Sequence, residues 1–223
     1  MLKCCIFDLD GTLLDTLDAI TYTGNLMLKE MGLEESEREE YKYMVGDGAA
    51  TLVERLIKKG GDPNCEKLEE SIAVYQREFA IHSMDGVGPY DGILDMLKVL
   101  KEEGTKIAVL SNKPHARTIE NIETFFGKGY FDHIQGEMEA QGVKKKPDPS
   151  GVYQVMKALG MEPEECLYIG DTNTDMMTGR NAGLTTVGVT WGFRPEEELR
   201  SFNPAYIVHH PMEIAEVVKK SKM

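Results

Sequence analysis

Residues 4–14 read Cys4-Cys5-Ile6-Phe7-Asp8-Leu9-Asp10-Gly11-Thr12-Leu13-Leu14, an apolar run that ends in two carboxylates, a glycine and a threonine. The segment from Leu2 to Leu9 is short and mostly apolar, which is typical of a strand buried on both faces, and Gly11 supplies the break. Side chains alternate along a strand, so Asp8 and Asp10 are predicted to point to the same side of the sheet. Charge therefore collects where a buried strand ends.

Two interpretations of this carboxylate pair are open. Neighbouring carboxylates repel each other unless a cation, a shared proton or hydrogen-bond donors compensate. A divalent metal is the simplest compensation, and with oxygen ligands alone Mg²⁺ fits better than zinc. Alternatively, the two carboxylates belong to the start of the next helix, with Asp10 or Thr12 as its N-cap.

The composition is that of a globular protein. The chain has 223 residues, of which 41% are hydrophobic, and this length suits one large domain or one domain with a smaller insert. No apolar run approaches the roughly 20 residues that a membrane span needs, and no secretory signal is evident, so we expect a cytoplasmic protein. The four cysteines form no C-x-x-C pair and are expected to be reduced.

The formal net charge of −13 bears on partners. Nucleic-acid binding depends on clustered lysine and arginine, so we expect neither a nucleic-acid partner nor a membrane. A small phosphorylated metabolite is compatible with this charge, because a metal, a lysine and backbone donors can converge locally on one phosphate. The sequence leaves open whether the protein is a monomer or a dimer.

Helical periodicity dominates residues 15 to 84. Apolar residues spaced by threes and fours predict helices from Asp15 to about Gly32 and from Ala49 to Lys59, and the Glu-rich segment 34–40 between them is interpreted as a solvated helix face. Asp62-Pro63 is predicted to start another helix, with proline in its first turn. This block is therefore predicted to be all helical.

After residue 86 short strand-like runs alternate with helices. The predicted strands are Lys106 to Ser111, Phe131 to Gln135, Leu167 to Gly170, Thr185 to Val189 and Ala205 to Val208. The predicted helices cover about 91–103, 115–126, 150–159, 173–182 and 211–220. Such alternation indicates an α/β fold with a parallel sheet covered on both faces, into which the helical block is inserted.

Polar residues recur where these strands end. The first strand ends in Asp8-x-Asp10, the second in Ser111-Asn112 and another in Gly170-Asp171. Open α/β sheets bind ligands beyond the carboxyl ends of their strands, so these residues are predicted to share one site. Hydroxyl and amide donors suit phosphate oxygens, and the run Lys144-Lys145-Lys146 before Pro147 supplies cations.

Two other motifs are rejected. Asp171-x-Asn173-x-Asp175 has the spacing of an EF-hand start, but Met176 and Ala182 stand where that loop needs glycine and glutamate. The segment 46–51 approaches a dinucleotide-binding fingerprint but follows no predicted strand.

The order of the motifs resembles the haloacid dehalogenase superfamily of phosphatases. The match spans the whole chain, and its first and fourth motifs are highly specific together. The four motifs are Asp8-Leu9-Asp10-Gly11-Thr12, Ser111-Asn112, Lys146 before Pro147, and Gly170-Asp171-Thr172-Asn173-Thr174-Asp175.

The resemblance implies a Rossmann-like parallel sheet core, residues 1–14 and 86–223, with an inserted all-helical cap domain, residues 15–85. It also implies that Asp8 is the nucleophile that forms a phosphoaspartyl intermediate and that Asp10 is the general acid and base. Mg²⁺ would be held by the Asp8 side chain, the Asp10 backbone carbonyl and Asp171, and Asp175 would support these ligands. The phosphoryl oxygens would be held by Thr12, Ser111, Asn112 and Lys146.

Further patterns are similar to the phosphoglycolate phosphatase branch. They are Pro89-Tyr90-Asp91-Gly92, Ser111-Asn112-Lys113-Pro114, Val45-Gly46-x-Gly48 and Val189-Thr190-Trp191-Gly192. Related pyrophosphatases and 5′-nucleotidases share them, and Ser111 stands where the branch often has threonine. A sugar phosphomutase is a second enzymatic interpretation, and a phosphate-binding module without catalysis is a third, which the intact chemical positions disfavour.

Substrate selectivity is expected to come from the cap segment 43–48. Lys42 and Arg55 are candidates to meet a substrate carboxylate, although either is more simply a surface charge. The five histidines show no metal-ligand spacing tied to the motifs, and Trp191 is expected to pack near the cap hinge.

Overall fold

The computed structural model describes residues 1–222 and divides the chain into two compact units. One unit joins residues 1–14 to residues 89 onward, and the other is Asp15–Gly88. The first unit carries the parallel sheet and the second is built of helices. This α/β architecture with an inserted helical unit confirms the predicted fold class.

In residues 1–222 six strands form one sheet, and every neighbouring pair in it is parallel. Short apolar segments that alternate with helices produce this arrangement. Each helical crossover returns the chain to the end of the sheet where the previous strand began, so successive strands run in the same direction. The strands in chain order are Cys4–Phe7 (β1), Leu14–Asp15 (β2), Gly88–Pro89 (β3), Lys106–Pro114 (β4), His133–Glu137 (β5), Cys166–Gly170 (β6), Thr185–Val189 (β7) and Tyr206–Val208 (β8). The order of the strands in the sheet is β5-β4-β1-β6-β7-β8, and strands β2 and β3 lie outside it and pair with each other.

The register of the central strands positions the residues that follow them. Phe7 at the end of β1 lies opposite Val109 of β4 and Ile169 of β6. Asp8, the next residue after Phe7, therefore lies at the height of Gly170, the residue before Asp171. The strand ends that the sequence singled out meet at one edge of the sheet.

Helices of the first unit cover the sheet. The helix Ser150–Leu159 packs on β4 and β5 through Val152, Val155 and Met156, which share a buried cluster with Ile6 and Tyr168. The helices in chain order are Ile93–Glu102 (α5), His115–Phe126 (α6), Ser150–Leu159 (α7), Asn173–Asn181 (α8), Glu196–Ser201 (α9) and Met212–Lys220 (α10). Each predicted helix in this half is present. No helix within residues 1–222 combines the length and apolar character that crossing a membrane requires.

Some limits differ from the predicted ones. Strand β4 continues past Ser111 to Pro114, because an irregularity in its pairing with β5 allows Pro114 to lie opposite Glu137. The first strand is shorter than predicted and ends at Phe7. Helix α9 was not predicted, since six residues are too few to show helical periodicity.

The unit Asp15–Gly88 contains four helices, Leu17–Glu30 (α1), Arg38–Met44 (α2), Ala49–Lys59 (α3) and Leu68–His82 (α4). Helix α3 has the predicted limits. The apolar face of α1 that the spacing predicted is buried, including Leu17, Ile20 and Met27.

Two predicted helix starts in this unit are wrong. Residues 34–37 are not helical, because the Asn25 side chain holds the backbone of Ser36 out of a helix: Nδ2 of Asn25 donates to the Ser36 carbonyl, and Oδ1 accepts from the Ser36 N–H. Helix α4 begins at Leu68 instead of Pro63, since Cys65 has a φ of 58° and interrupts the turn. The Asp62 carboxylate does not cap a helix at Pro63. It accepts hydrogen bonds from the backbone N–H groups of Glu66 and Lys67.

Candidate active site

Three buried carboxylates meet at the carboxyl edge of the sheet. Asp8 follows β1, Asp171 follows β6, and Asp175 lies in the first turn of α8. One carboxylate oxygen from each lies within 4.8 Å of the other two. The parallel pairing of β1 with β6 brings these distant parts of the sequence together.

A single lysine ammonium lies between two of these carboxylates. Lys146 Nζ is 2.8 Å from Oδ1 of Asp8 and 2.7 Å from Oδ1 of Asp175, and its side chain is 3% exposed. Burial alone would lower the pKa of the Lys146 ammonium, but the charges of Asp175 and Asp8 outweigh burial and raise that pKa well above its ordinary value. The lysine therefore stays charged.

The three carboxylates outnumber this cation, and the pKa values of Asp8 and Asp171 reflect it. Burial, together with the charge of Asp175, raises the pKa of Asp8 well above its ordinary value, although Lys146 opposes the shift. Burial and the charge of Asp175 also raise the pKa of Asp171 to about 7. A cluster of oxygen ligands with excess negative charge has the chemistry to hold a hard divalent cation such as Mg²⁺.

Asp171 is held by donors on both of its oxygens. Thr12 Oγ1 donates to Oδ1 at 2.8 Å, and the backbone N–H of Phe193 donates to Oδ2 at 2.8 Å. Because the Thr12 hydroxyl is used in this way, its predicted bond to a phosphoryl oxygen would require the bond to Asp171 to break.

Two glycines make room for the Asp171 carboxylate. A Cβ at Gly11 would lie 2.3 Å from Oδ2 of Asp171, and a Cβ at Gly192 would lie 2.4 Å from the same oxygen. Gly11 also has a φ of 85°, which side chains rarely adopt. The nearby Trp191 Nε1 donates to the carbonyl of Thr12 at 3.0 Å and ties the two loops together.

Asp175 is saturated by protein donors. Its Oδ2 accepts from the backbone N–H and the hydroxyl of Thr172, at 3.0 and 2.6 Å, and its Oδ1 accepts from Lys146. A Cβ at Gly170 would lie 2.2 Å from the Asp175 carboxyl carbon. Asp175 is therefore suited to orient Lys146 and Thr172.

Asn112 holds the backbone of Lys146. Its Oδ1 accepts from the Lys146 N–H at 2.8 Å, and its Nδ2 donates to the Lys146 carbonyl at 3.1 Å. The predicted contact of Asn112 with a phosphoryl oxygen stays a prediction. Ser111 Oγ, which is buried, accepts from the backbone N–H of Lys113 at 3.1 Å.

Of the three consecutive lysines, Lys146 is the one whose ammonium contacts Asp8. Lys145 Nζ is 3.2 Å from Glu139, and Lys144 Nζ is 3.8 Å from Asp148 with 76% of its side chain exposed.

Asp10 lies apart from the carboxylate cluster. Its Oδ1 accepts from Lys113 Nζ at 2.7 Å, and its side chain is 21% exposed. Because β1 ends at Phe7, neither Asp8 nor Asp10 belongs to the strand, so alternation along a strand does not decide their orientation. Neither Asp10 nor Thr12 caps the next helix, whose N-cap position is Thr16.

In the helical unit, each of the two cations proposed for substrate selectivity forms an ion pair with a nearby acidic side chain. Arg55 donates to the Met44 carbonyl at 2.7 Å and lies 2.6 Å from the Asp47 carboxylate, so it braces the segment 44–47. Lys42 pairs with Glu39 at 2.7 Å.

Sequence reasoning gave no site role to three contributors, Lys113, Gly192 and Phe193, although Lys113 and Gly192 lie in the branch patterns quoted above. Gly192 and Phe193 follow β7, and Lys113 stands at the end of β4. The rule that sites form beyond the carboxyl ends of strands applies to all three. Their partners could be named only from the tertiary structure.

Comparisons with known proteins agree on one family. Residues 5–189 match the family described as haloacid dehalogenase-like hydrolase. A phosphoglycolate phosphatase from Aquifex aeolicus is 32% identical over 97% of both chains. The pyrophosphatase PpaX from Halalkalibacterium halodurans is 29% identical over 96% of this chain and 95% of its own.

A solved structure of a candidate phosphoglycolate phosphatase from Lactobacillus delbrueckii subsp. bulgaricus superposes with a TM-score of 0.90. It is 30% identical, and the alignment covers 97% of this chain and 98% of that one.

Proposed function

This chain belongs to the haloacid dehalogenase-like hydrolase family, and we propose that it is a Mg²⁺-dependent phosphatase that hydrolyses a small phosphomonoester through a phosphoaspartyl intermediate on Asp8. The family match confirms the resemblance found in the motifs. The observation that carries the proposal is the contact of the buried Asp8 carboxylate with Lys146, beside Asp171 and Asp175.

Asp8 is the nucleophile in this proposal. Both protein donors to its side chain, Lys146 Nζ and the backbone N–H of Leu9, bind Oδ1. Within residues 1–222, Oδ2 of Asp8 has no hydrogen-bond partner and is available to attack phosphorus. The Lys146 ammonium lowers the repulsion between this carboxylate and an incoming phosphate dianion.

Mg²⁺ would be held by the carboxylates of Asp8 and Asp171 and by the Asp10 backbone carbonyl. Bound there, the ion would offset the negative charge of the carboxylates and of the transferring phosphoryl group. Asp175 keeps its bonds to Thr172 and Lys146 and fixes the lysine.

Asp10 is the general acid and base. It donates a proton to the leaving oxygen as the phosphoryl group moves to Asp8, and it later takes a proton from the water that attacks the phosphoaspartate. Asn112 supports the phosphate site by holding the backbone of Lys146, and the Ser111 hydroxyl would donate to a phosphoryl oxygen.

The substrate that we propose is 2-phosphoglycolate. Its support is the similarity of the chain to the Aquifex aeolicus phosphoglycolate phosphatase over nearly the full length of both proteins. Pyrophosphate is a second candidate, because the Halalkalibacterium halodurans relative is a pyrophosphatase of comparable identity.

The proposal extends to partners and compartment. The four free cysteines suit a reducing cytoplasm. A net charge of −13 favours a small metabolite over a nucleic acid as partner.

The test is phosphate release with Mg²⁺ from a panel measured side by side. The panel contains 2-phosphoglycolate, pyrophosphate, nucleoside monophosphates and hexose phosphates, with Asp8→Asn as the inactive control. We expect the highest kcat/KM for 2-phosphoglycolate. Release no faster than that of Asp8→Asn on every compound would refute phosphatase function, and transfer between sugar positions without phosphate release would favour a phosphomutase.

A further inference from the structure

Lys113 is a second buried lysine at the carboxyl end of β4. Its side chain is 4% exposed, and its ammonium lies 2.7 Å from Oδ1 of Asp10. Its backbone is also fixed, because its N–H donates to Ser111 Oγ at 3.1 Å and its carbonyl accepts from Thr118 Oγ1 at 3.1 Å. Strand β4 and helix α6 therefore hold this lysine in place.

The two buried lysines serve different aspartates. Lys146 contacts Asp8 and Asp175, whereas Lys113 contacts Asp10. Asp10 has one side-chain oxygen bound in this way. Within the described residues 1–222, its Oδ2 has no hydrogen-bond partner.

On the basis of the proposed function, we propose that Lys113 is the positioning residue for the general acid and base Asp10. Lys113 holds Oδ1, so that Oδ2 is the atom that exchanges protons. In the first step the Asp10 Oδ2–H proton moves to the leaving oxygen while the bond between that oxygen and phosphorus breaks and the Asp8–phosphorus bond forms. In the second step Oδ2 takes a proton from water as the water oxygen bonds to phosphorus and the Asp8–phosphorus bond breaks.

Stability alone does not account for this pair. A buried ion pair pays a desolvation penalty that often matches its Coulomb gain, so an apolar side chain of similar length would serve the fold about as well. Holding one carboxylate oxygen in a fixed place is a task that an apolar side chain cannot perform. A misplacement of about 1 Å is enough to slow a proton transfer about 100-fold.

The test compares two leaving groups. Protonation by Asp10 matters most for the alkoxide of 2-phosphoglycolate and least for the aryl oxide of p-nitrophenyl phosphate. For Lys113→Met we expect kcat/KM to fall about 100-fold with 2-phosphoglycolate and less than about fivefold with p-nitrophenyl phosphate. Asp10→Asn should show the same contrast, and adding Lys113→Met to Asp10→Asn should cause little further loss.

Further variants keep the result interpretable. Lys113→Arg retains a donor and should recover part of the kcat/KM that Lys113→Met loses with 2-phosphoglycolate. If Lys113→Met does not fold, Lys113→Gln replaces it and should show the same contrast between the two substrates. Lys106→Met removes the same charge from the exposed start of β4, where Lys106 pairs with Asp132, and should leave both rates unchanged.

The outcomes separate the two proposals. Equal losses on both substrates, or full additivity with Asp10→Asn, would overturn the positioning role while wild-type turnover still supports the phosphatase. Absence of wild-type turnover on both substrates would overturn the proposed function itself.

Discussion

The Asn112 side chain binds both the N–H and the carbonyl of Lys146, at 2.8 and 3.1 Å. It thereby fixes the backbone of the residue whose ammonium contacts Asp8. The amide thus connects the end of β4 to a lysine 34 residues further along the chain. Activity should therefore depend on Asn112 through its bonds to the Lys146 backbone.

Asn112→Ala removes both bonds and is expected to lower kcat/KM about 10- to 100-fold, and to lower the free energy of unfolding by about 1–3 kcal/mol, because buried backbone groups lose their partners. Steady-state kinetics and urea denaturation measure the two effects. The matched control is Asn181→Ala, which removes one exposed bond to the carbonyl of Pro147 in the same loop. If Asn181→Ala proves as damaging as Asn112→Ala, the loop as a whole matters and the amide has no special role.

Gly192→Ala should displace the Asp171 carboxylate, since the added Cβ would lie 2.4 Å from its Oδ2 and 2.4 Å from the Gly11 carbonyl. We expect Mg²⁺ affinity to fall at least about tenfold, with turnover falling in parallel. Titration of Mg²⁺ against initial rate measures this change. Gly88→Ala is the control, because a Cβ there meets nothing within 4 Å. Unchanged metal dependence in Gly192→Ala would contradict the packing argument.

Mg²⁺ affinity should increase with pH. Burial and the charge of Asp175 raise the pKa of Asp171 to about 7, so the metal-free protein holds a proton there below that pH and must release it to bind the ion. We expect the apparent Kd to fall at least about tenfold per pH unit below pH 7, because the pKa of the other carboxylate ligand, Asp8, is raised as well. Trp191, the only tryptophan in the sequence, donates to the Thr12 carbonyl and provides a fluorescence signal for the titration. Constant affinity between pH 5.5 and 8 would exclude this linkage.

Asp8→Asn should abolish turnover and stabilise the metal-free protein. Burial and the charge of Asp175 raise the pKa of Asp8, which means that its ionised form is disfavoured in the fold and costs stability at neutral pH. Removing that charge should raise Tm by about 2–4 °C, which corresponds to about 1 kcal/mol for a chain of this size. Calorimetry in the presence of a chelator measures the shift. Asp10→Asn is the contrast, because it leaves the buried Lys113 without its carboxylate and should lower Tm.

Much of this molecule was predictable from local patterns. Apolar runs of four or five residues, such as Thr185–Val189, and helical spacing in Ala49–Lys59 gave elements with the observed limits. The errors lie where a tertiary contact opposes the local preference. Asn25 holds Ser36 out of a helix, and the left-handed Cys65 delays α4 to Leu68.

In the candidate site as well, local motifs and tertiary contacts supplied different information. Motif order led to the prediction that Asp8, Asp10, Ser111, Asn112, Lys146 and Asp171 share one site, and both this grouping and the chemical roles of the residues stay predictions. Their partners were not predictable. The sequence does not show that Thr12 donates to Asp171, that Asn112 binds the backbone of Lys146, or that Lys113 holds Asp10.

For the opening stretch, residues 4–14, the sequence alone determined a buried strand, the turn at Gly11 and the concentration of carboxylates at the strand's end, because these depend on local polarity and backbone freedom. Only the tertiary structure decided that Asp8 joins Asp171 and Asp175 around Lys146 while Asp10 turns to Lys113. The physical reason is that these contacts depend on the parallel pairing of β1 with β4 and β6, which brings residues more than 100 positions apart within hydrogen-bonding distance.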